Sequence, residues 1–264
     1  MTSGDVIRIL EQLAPTRYAC EWDNVGLLLG RRDKEVKKIY VALDVTDEVL
    51  DAVIEGGYDM LVTHHPIIFR SINRVNDNDY LGRWMLALLS RDITCYAMHT
   101  NFDVAPGCMA DLAAARLGIK SEGPLEVTMV EDGKEQGVGR IGSLEKYCTV
   151  SELCELVKER FDLPFVTLYA KNEERPARRI AISPGSGKGM VKEAEKKECD
   201  VLISGDLGHH DGLDAVAAGI CVINAGHYGL EHIFTDFIAE YLKERLMADL
   251  VITAADVLGP ERLK

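Results

Sequence analysis

Four clusters of histidine and carboxylate residues punctuate this 264-residue chain, each a few positions beyond an apolar run. His64-His65 follows Met60-Leu-Val-Thr63 and precedes Pro66. His99-Thr-Asn-Phe-Asp103 follows Cys95-Tyr-Ala-Met98. Gly205-Asp206-Leu-Gly-His209-His210 follows Val201-Leu-Ile-Ser204, and His227-Tyr-Gly-Leu-Glu231 follows Cys221-Val-Ile-Asn224. Imidazole nitrogens and carboxylate oxygens, with no thiolate among them, suit zinc, iron, manganese or nickel. The chemistry such donors support is activation of water by a divalent ion that keeps solvent positions open.

Each cluster alone has a plainer reading. His64 and His65 also fit two polar residues where a buried strand emerges. Asn101 and Asp103 both favour turns. His227 and Glu231 share a helix face at i and i+4, yet an acidic first turn also suits the helix dipole. Taken together they weigh differently. His64, His65, Asp103, His227 and Glu231 suffice for two divalent ions per subunit, with a bridging carboxylate and a solvent ligand. His99 fits a supporting or proton-transfer role. Asp206, His209 and His210 fit outer positions, proton transfer or substrate contact, or else cap a helix near Asp211. Trp22-Asp23-Asn24 either lines a cleft, contacting substrate, or shapes a loop.

The elements that must position these residues follow from periodicity and punctuation. Apolar runs at Gly26–Gly30, Ile39–Leu43, Met60–Thr63 and Thr94–Met98 read as strands. Helices are expected from Ser3, as cap, to Leu13, from Thr46 to Glu55, over Tyr80–Ser90 and over Cys108–Leu117. After Pro124, Val127–Leu144 reads as a hairpin region around Asp132-Gly133, and Val150–Phe161 as a helix that Ser151 can cap. Pro164–Ala170 reads as a strand. Further strands at Ile180–Ser183, Val201–Ser204 and Cys221–Asn224 alternate with helices at Met190–Glu198 and Asp211–Ala218. One long helix is expected over Gly229–Leu246, then a short strand at Leu250–Thr253. The segment Ser183–Gly189 reads as a tight turn, since it lacks the spacing of a phosphate-binding loop.

Strands alternating with helices imply an α/β fold with mixed, partly parallel sheets. Ile39–Asp44 with Tyr58–His65 resembles Ile180–Ser183 with Cys199–Asp206 closely enough to expect two related α/β subdomains. Their boundaries are placed at residues 1–125 and 126–264, with C-terminal elements able to pack back on the first. Open α/β sheets carry sites at the carboxyl ends of their strands, so a metal cleft between the subdomains is expected.

A net charge of -13, with no long Lys/Arg run, argues against nucleic acid as a partner. The N-terminus carries no basic and apolar leader, and no run reaches the length of a membrane helix. Seven scattered cysteines without a Cys-x-x-Cys pair fit reduced core residues. A cytoplasmic protein is therefore expected.

The motifs Trp22-Asp-Asn-Val-Gly26, Thr63-His-His-Pro66, His99-Thr-Asn-Phe-Asp103, Ser204-Gly-Asp206 and Gly226-His227 with Glu231 resemble those of the GTP cyclohydrolase I type 2 homologues, also called the NIF-three-like family. The resemblance spans essentially the whole chain. It implies two similar subdomains, a dinuclear metal centre between them and a ring-shaped homohexamer. It also implies that His64, His65, Asp103, His227 and Glu231 are the ligands, with Glu231 bridging and His99 either supporting the ligands or acting in catalysis. The long insertion found in many members is absent; only the short stretch 126–171 stands there. The activity then expected is a dinuclear metal-dependent hydrolase acting on a small molecule, a purine nucleotide among the candidates. A metal-bound hydroxide would attack, and His99, His209 or His210 would move the proton. The alternative is a non-enzymatic metal-binding or regulatory scaffold.

Overall fold

A computed structural model describes residues 1–246 and 250–255. The chain divides into two compact units, residues 1–102 with 234–264 and residues 103–233. The division falls at Phe102/Asp103 rather than near residue 125, and the chain from Phe234 onward groups with the first unit.

The first unit is built on a five-stranded sheet. Its spatial order is Gly26–Leu29, Thr94–Ala97, Met60–Thr63, Lys38–Ala42, Val251–Ala254. Gly26–Leu29 runs antiparallel to its neighbour and every other pair is parallel. Met60–Thr63 and Thr94–Ala97 are buried at all four positions, which explains their unbroken apolar character. Helices Asp47–Glu55 and Tyr80–Leu89 pack Val49, Leu50, Val53, Met85 and Leu88 against Tyr40, Leu61 and Cys95. Thr46 caps the first of these through Val49 N–H (3.2 Å). The N-terminal helix Ser3–Leu13 is capped by Thr2, not Ser3: Thr2 and Asp5 form a reciprocal box, while Ser3 is buried inside the first turn.

The second unit carries a six-stranded sheet in the order Thr167–Tyr169, Cys221–Asn224, Val201–Gly205, Ile180–Ser186, Arg140–Leu144, Ile119–Gly123. The first pair is antiparallel, the next two are parallel and the last two antiparallel. Its core joins Ala181, Leu202 and Val222 to Ala194 and Ala215 on helices Met190–Lys196 and His209–Ala217. The hairpin is Glu131-Asp-Gly-Lys134, with Asp132 and Gly133 at φ of 50° and 75°. It ends at Val138, and Arg140–Leu144 leaves it to join the main sheet. Helix Val150–Phe161 is capped by Thr149 with Glu152, not by Ser151.

The expected long C-terminal helix is interrupted at His232. Short helix His227–Glu231 precedes it and Ile233–Arg245 follows. The His232 ring Nδ1 lies 3.0 Å from the Gly229 carbonyl, the acceptor that Ile233 N–H would use in an unbroken α-helix.

The two sheets share one winding. Counting strands from Gly26–Leu29 in the first and from Thr167–Tyr169 in the second, the first strand lies antiparallel at an edge, beside the fourth, then the third, then the second. Asp59 and Asp200, one residue before the third strand, make matching contacts. Asp59 Oδ2 accepts from Lys37 and Lys38 N–H (2.8 and 3.1 Å), and Asp200 Oδ2 from Arg178 and Arg179 N–H (3.1 and 3.0 Å). Lys34 then pairs with Asp59 and Arg175 with Asp200.

Candidate metal centre

In the first unit the ladder continues just past the buried strands. His64 and His65 N–H groups donate to the Ala42 and Leu43 carbonyls (3.3 and 2.9 Å). Thr63 Oγ1 turns back to donate to the His65 carbonyl (2.9 Å). The chain leaves the sheet there, and both imidazoles face one cluster, with ring centroids 4.9 Å apart. His99, beyond the adjacent strand, completes it at 5.2 Å from His64 and 5.4 Å from His65. A nitrogen from each of the three rings lies within 4.8 Å of the others.

Each ring is anchored at Nδ1. His64, fully buried against Phe102 and Phe234, donates to the Met98 carbonyl (2.7 Å). His65 donates to Asp44 Oδ1 (2.7 Å) and His99 to Asp23 Oδ1 (2.9 Å). With the proton at Nδ1, the neutral ring carries its lone pair at Nε2, the arrangement that metal-binding imidazoles use.

Asp23 occupies the middle of Trp22-Asp23-Asn24, and the triplet has one task per residue. The Trp22 ring meets Phe69 and His99, each at 6.0 Å. Asp23 accepts from His99 and from Thr100 N and Oγ1 (3.0 and 2.5 Å). Asn24 donates to the Ile68 carbonyl (2.6 Å). Burial pushes the Asp23 carboxyl up, but His99 and the two Thr100 donors outweigh it and hold it down at about 2. Asp23, expected to touch substrate, is thus an anchor for His99.

In the second unit, Asp103 lies on the short helix Thr100–Val104, and one of its oxygens is within 4.8 Å of a Glu231 oxygen. Glu231 is buried. His227 donates from Nδ1 to Asp206 Oδ2 (2.6 Å), and its Nε2 lies 3.0 Å from Glu231 Oε2. Asp206 sits at φ 50°, a left-handed turn out of the strand that few side chains accept readily. Of the outer, proton-transfer and substrate positions expected for it, the hydrogen bond to His227 matches an outer one.

Two glycines keep this half open. A Cβ at Gly185 would lie 2.5 Å from Glu231 Oε1, and Gly185 stands at φ 78°. A Cβ at Gly205 would lie 2.6 Å from the backbone nitrogen of His227. Counted along the chain from the paired Ala42–Thr63 and Ser183–Ser204, Gly185 and Gly205 fall where Asp44 and His64 do in the first unit, although the second ladder shifts register after Ser183. The shared winding therefore presents different side chains at equivalent positions.

The donor set fits a divalent ion. A neutral imidazole nitrogen and a carboxylate oxygen 3.0 Å apart repel unless a positive charge lies between them. A proton on the ring or a metal ion meets that need, and the buried carboxylates favour the larger charge. Among the described residues, no donor cluster includes His209 or His210. Those rings lie 5.4 Å apart at the exposed start of helix His209–Ala217. Asp44 was the residue missed, since its role depends on which strands are neighbours.

A GTP cyclohydrolase 1 type 2 homolog from Clostridium perfringens is 34% identical over 250 residues, covering 95% of this chain and 94% of that protein. A Lactococcus lactis protein of the same name is 32% identical over 98% of both chains. Among solved structures, reduced HcgD from Methanocaldococcus jannaschii superposes with a TM-score of 0.84 at 30% identity, over 97% of this chain and 98% of its own. A Bacillus cereus protein related to NIF3 has the same fold, with a TM-score of 0.92 at 22% identity over 100% of this chain and 99% of that one. The sequence profile of one family matches residues 1–257, and the chain belongs to that family, Duf34/NIF3 (NGG1p interacting factor 3).

Proposed function

We propose that this protein is a metal-dependent hydrolase of a small molecule, with two divalent ions per chain held by His64, His65, Asp103, His227 and Glu231. The observation that carries the reading is the uniform anchoring of the imidazoles. Three rings turn Nδ1 to an aspartate and the fourth to a carbonyl, so each offers the same nitrogen as a ligand. Bound ions would lower the pKa of water and neutralise charge that develops on the substrate. The chain's own part is to fix these donors and to exclude water around buried His64 and Glu231. His99 is the group suited to hold or release a proton at Nε2, with Asp23 stabilising the charged ring. The names of the relatives put purine nucleotides among the substrates to be tried.

Elemental analysis and a hydrolysis panel on the same preparation test this. Purified wild-type protein should carry divalent metal, and His64→Ala and Glu231→Gln should lose metal and turnover together. Turnover that persists after metal loss would contradict the reading. Full metal occupancy with no turnover across nucleotides, phosphoesters and amides would favour the scaffold instead.

A further inference from the structure

Three rings in the first unit meet edge to face. Trp22, Phe69 and His99 have centroid separations of 6.0 Å for every pair, with interplanar angles of 64°, 76° and 71°. In such a set no two rings stack face to face. Trp22 remains 64% exposed and Phe69 52% exposed. Both are the kind of residue a folded protein ordinarily covers.

The pair is held in place. The Asn24 side-chain amide, two residues from Trp22, donates to the carbonyl of Ile68, next to Phe69 (2.6 Å). Asp23 fastens the His99 ring and the start of helix Thr100–Val104. The His99 ring is in turn 5.2 Å from His64 and 5.4 Å from His65. A rigid, exposed aromatic pair thus borders the imidazole cluster.

We infer that exposed Trp22 is a stacking platform for a planar heteroaromatic ring of the ligand, with Phe69, inclined to it at 64°, as the wall at its edge, and that the ligand's reacting end lies at the imidazoles. This rests on the small-molecule reading above and adds the class of ligand. The area favours a small molecule over another protein chain. The two rings leave roughly 250 Å² of aromatic surface exposed, whereas a stable protein interface takes about 800 Å² from each side. An apolar platform beside a few convergent polar groups is the usual make-up of a ligand site. Every nucleobase has a π face, so stacking selects flat rings as a class and leaves the choice among them to the polar edge.

The test uses full-length, metal-loaded protein, with guanosine and adenosine 5′-monophosphates as probes and ribose 5-phosphate as the ring-free control. Binding is followed by calorimetry and by tryptophan fluorescence, and metal content and sedimentation are measured on every sample. The nucleotides should bind and quench fluorescence, and ribose 5-phosphate should do neither. Trp22→Leu should weaken nucleotide binding about tenfold with metal content unchanged. Trp22→Phe should restore most of the affinity, which a merely structural role for the indole would not predict. The platform is overturned if neither nucleotide binds loaded wild-type protein or if Trp22→Leu binds them as tightly. It is equally overturned if Trp22→Leu breaks an oligomer apart, because the rings would then pack on another copy. Absence of metal from the wild-type protein would instead defeat the hydrolase reading. Repeating the titration without metal keeps the two failures distinct.

Discussion

His65, His99 and His227 each turn Nδ1 to an aspartate, and this small geometric fact organises the site at the scale of single residues. The histidines were legible in the sequence because their type and their place after apolar runs carry chemical meaning. Of their partners, Asp23 was singled out as a cleft or loop residue, and Asp206 as an outer, proton-transfer or substrate residue. Asp44 escaped notice, because a carboxylate after one strand acquires its role only when the neighbouring strand is known. Orienting carboxylates of this kind typically set metal affinity by 10- to 100-fold. Asp44→Asn and Asp206→Asn should therefore each weaken metal binding at least about tenfold, read by competition with a chelator. The amide still accepts the hydrogen bond but no longer supplies the negative charge. Unchanged affinity in both variants would deny the anchors a role.

At the scale of elements, the buried strands were plain in the sequence, since four or five consecutive apolar residues bounded by turns leave little choice. Ile119–Gly123 was not, because three of its five residues are exposed and polar, and it joins the sheet only through Arg140–Leu144. Helix Thr100–Val104 was hidden in what reads equally well as a turn. The caps at Thr2 and Thr149 lie one and two residues before the expected serines, a matter of side-chain reach that composition does not resolve. Two predictions belong here. Gly185→Ala places a methyl 2.5 Å from Glu231 Oε1 at a positive φ, so the carboxylate must move. This variant should remain folded by circular dichroism and lose metal in elemental analysis. Asp200→Ala strips the acceptor from two backbone N–H groups and from Arg175. It should cost about 1–3 kcal/mol in denaturant unfolding, and Asp59→Ala should cost a similar amount.

For the whole molecule, the two units repeat one winding but diverge at its ends. Counted along the chain from the matching strand pairs, Asp44 and His64 in the first fall where Gly185 and Gly205 fall in the second. The sequence betrayed the repeat through matching strand-and-carboxylate patterns. It left room for C-terminal elements to pack back on the first unit, and the chain from Phe234 groups there, although no local pattern names so distant a partner. Among the described residues, no helix is long and apolar enough to cross a membrane. Stability should respond to alkali through the buried thiols. Burial lifts Cys95 from 9.0 to about 12, against a smaller lowering by Thr63, and Cys154 and Cys199 rise to about 11. A folded-state pKa above the unfolded one gives stability that is complete below pH 9 and lost as pH climbs toward 12. Melting temperature should fall over that window, and Cys95→Val should flatten part of the slope. An identical slope in the variant would assign it to other groups.

The most direct measurement is an anomalous-difference map, collected at the absorption edge of the metal that elemental analysis finds, from crystals of the protein as purified. The account predicts two peaks per chain, ligated by His64, His65, Asp103, His227 and Glu231. A map without peaks at these side chains, from crystals of metal-replete protein, would contradict it.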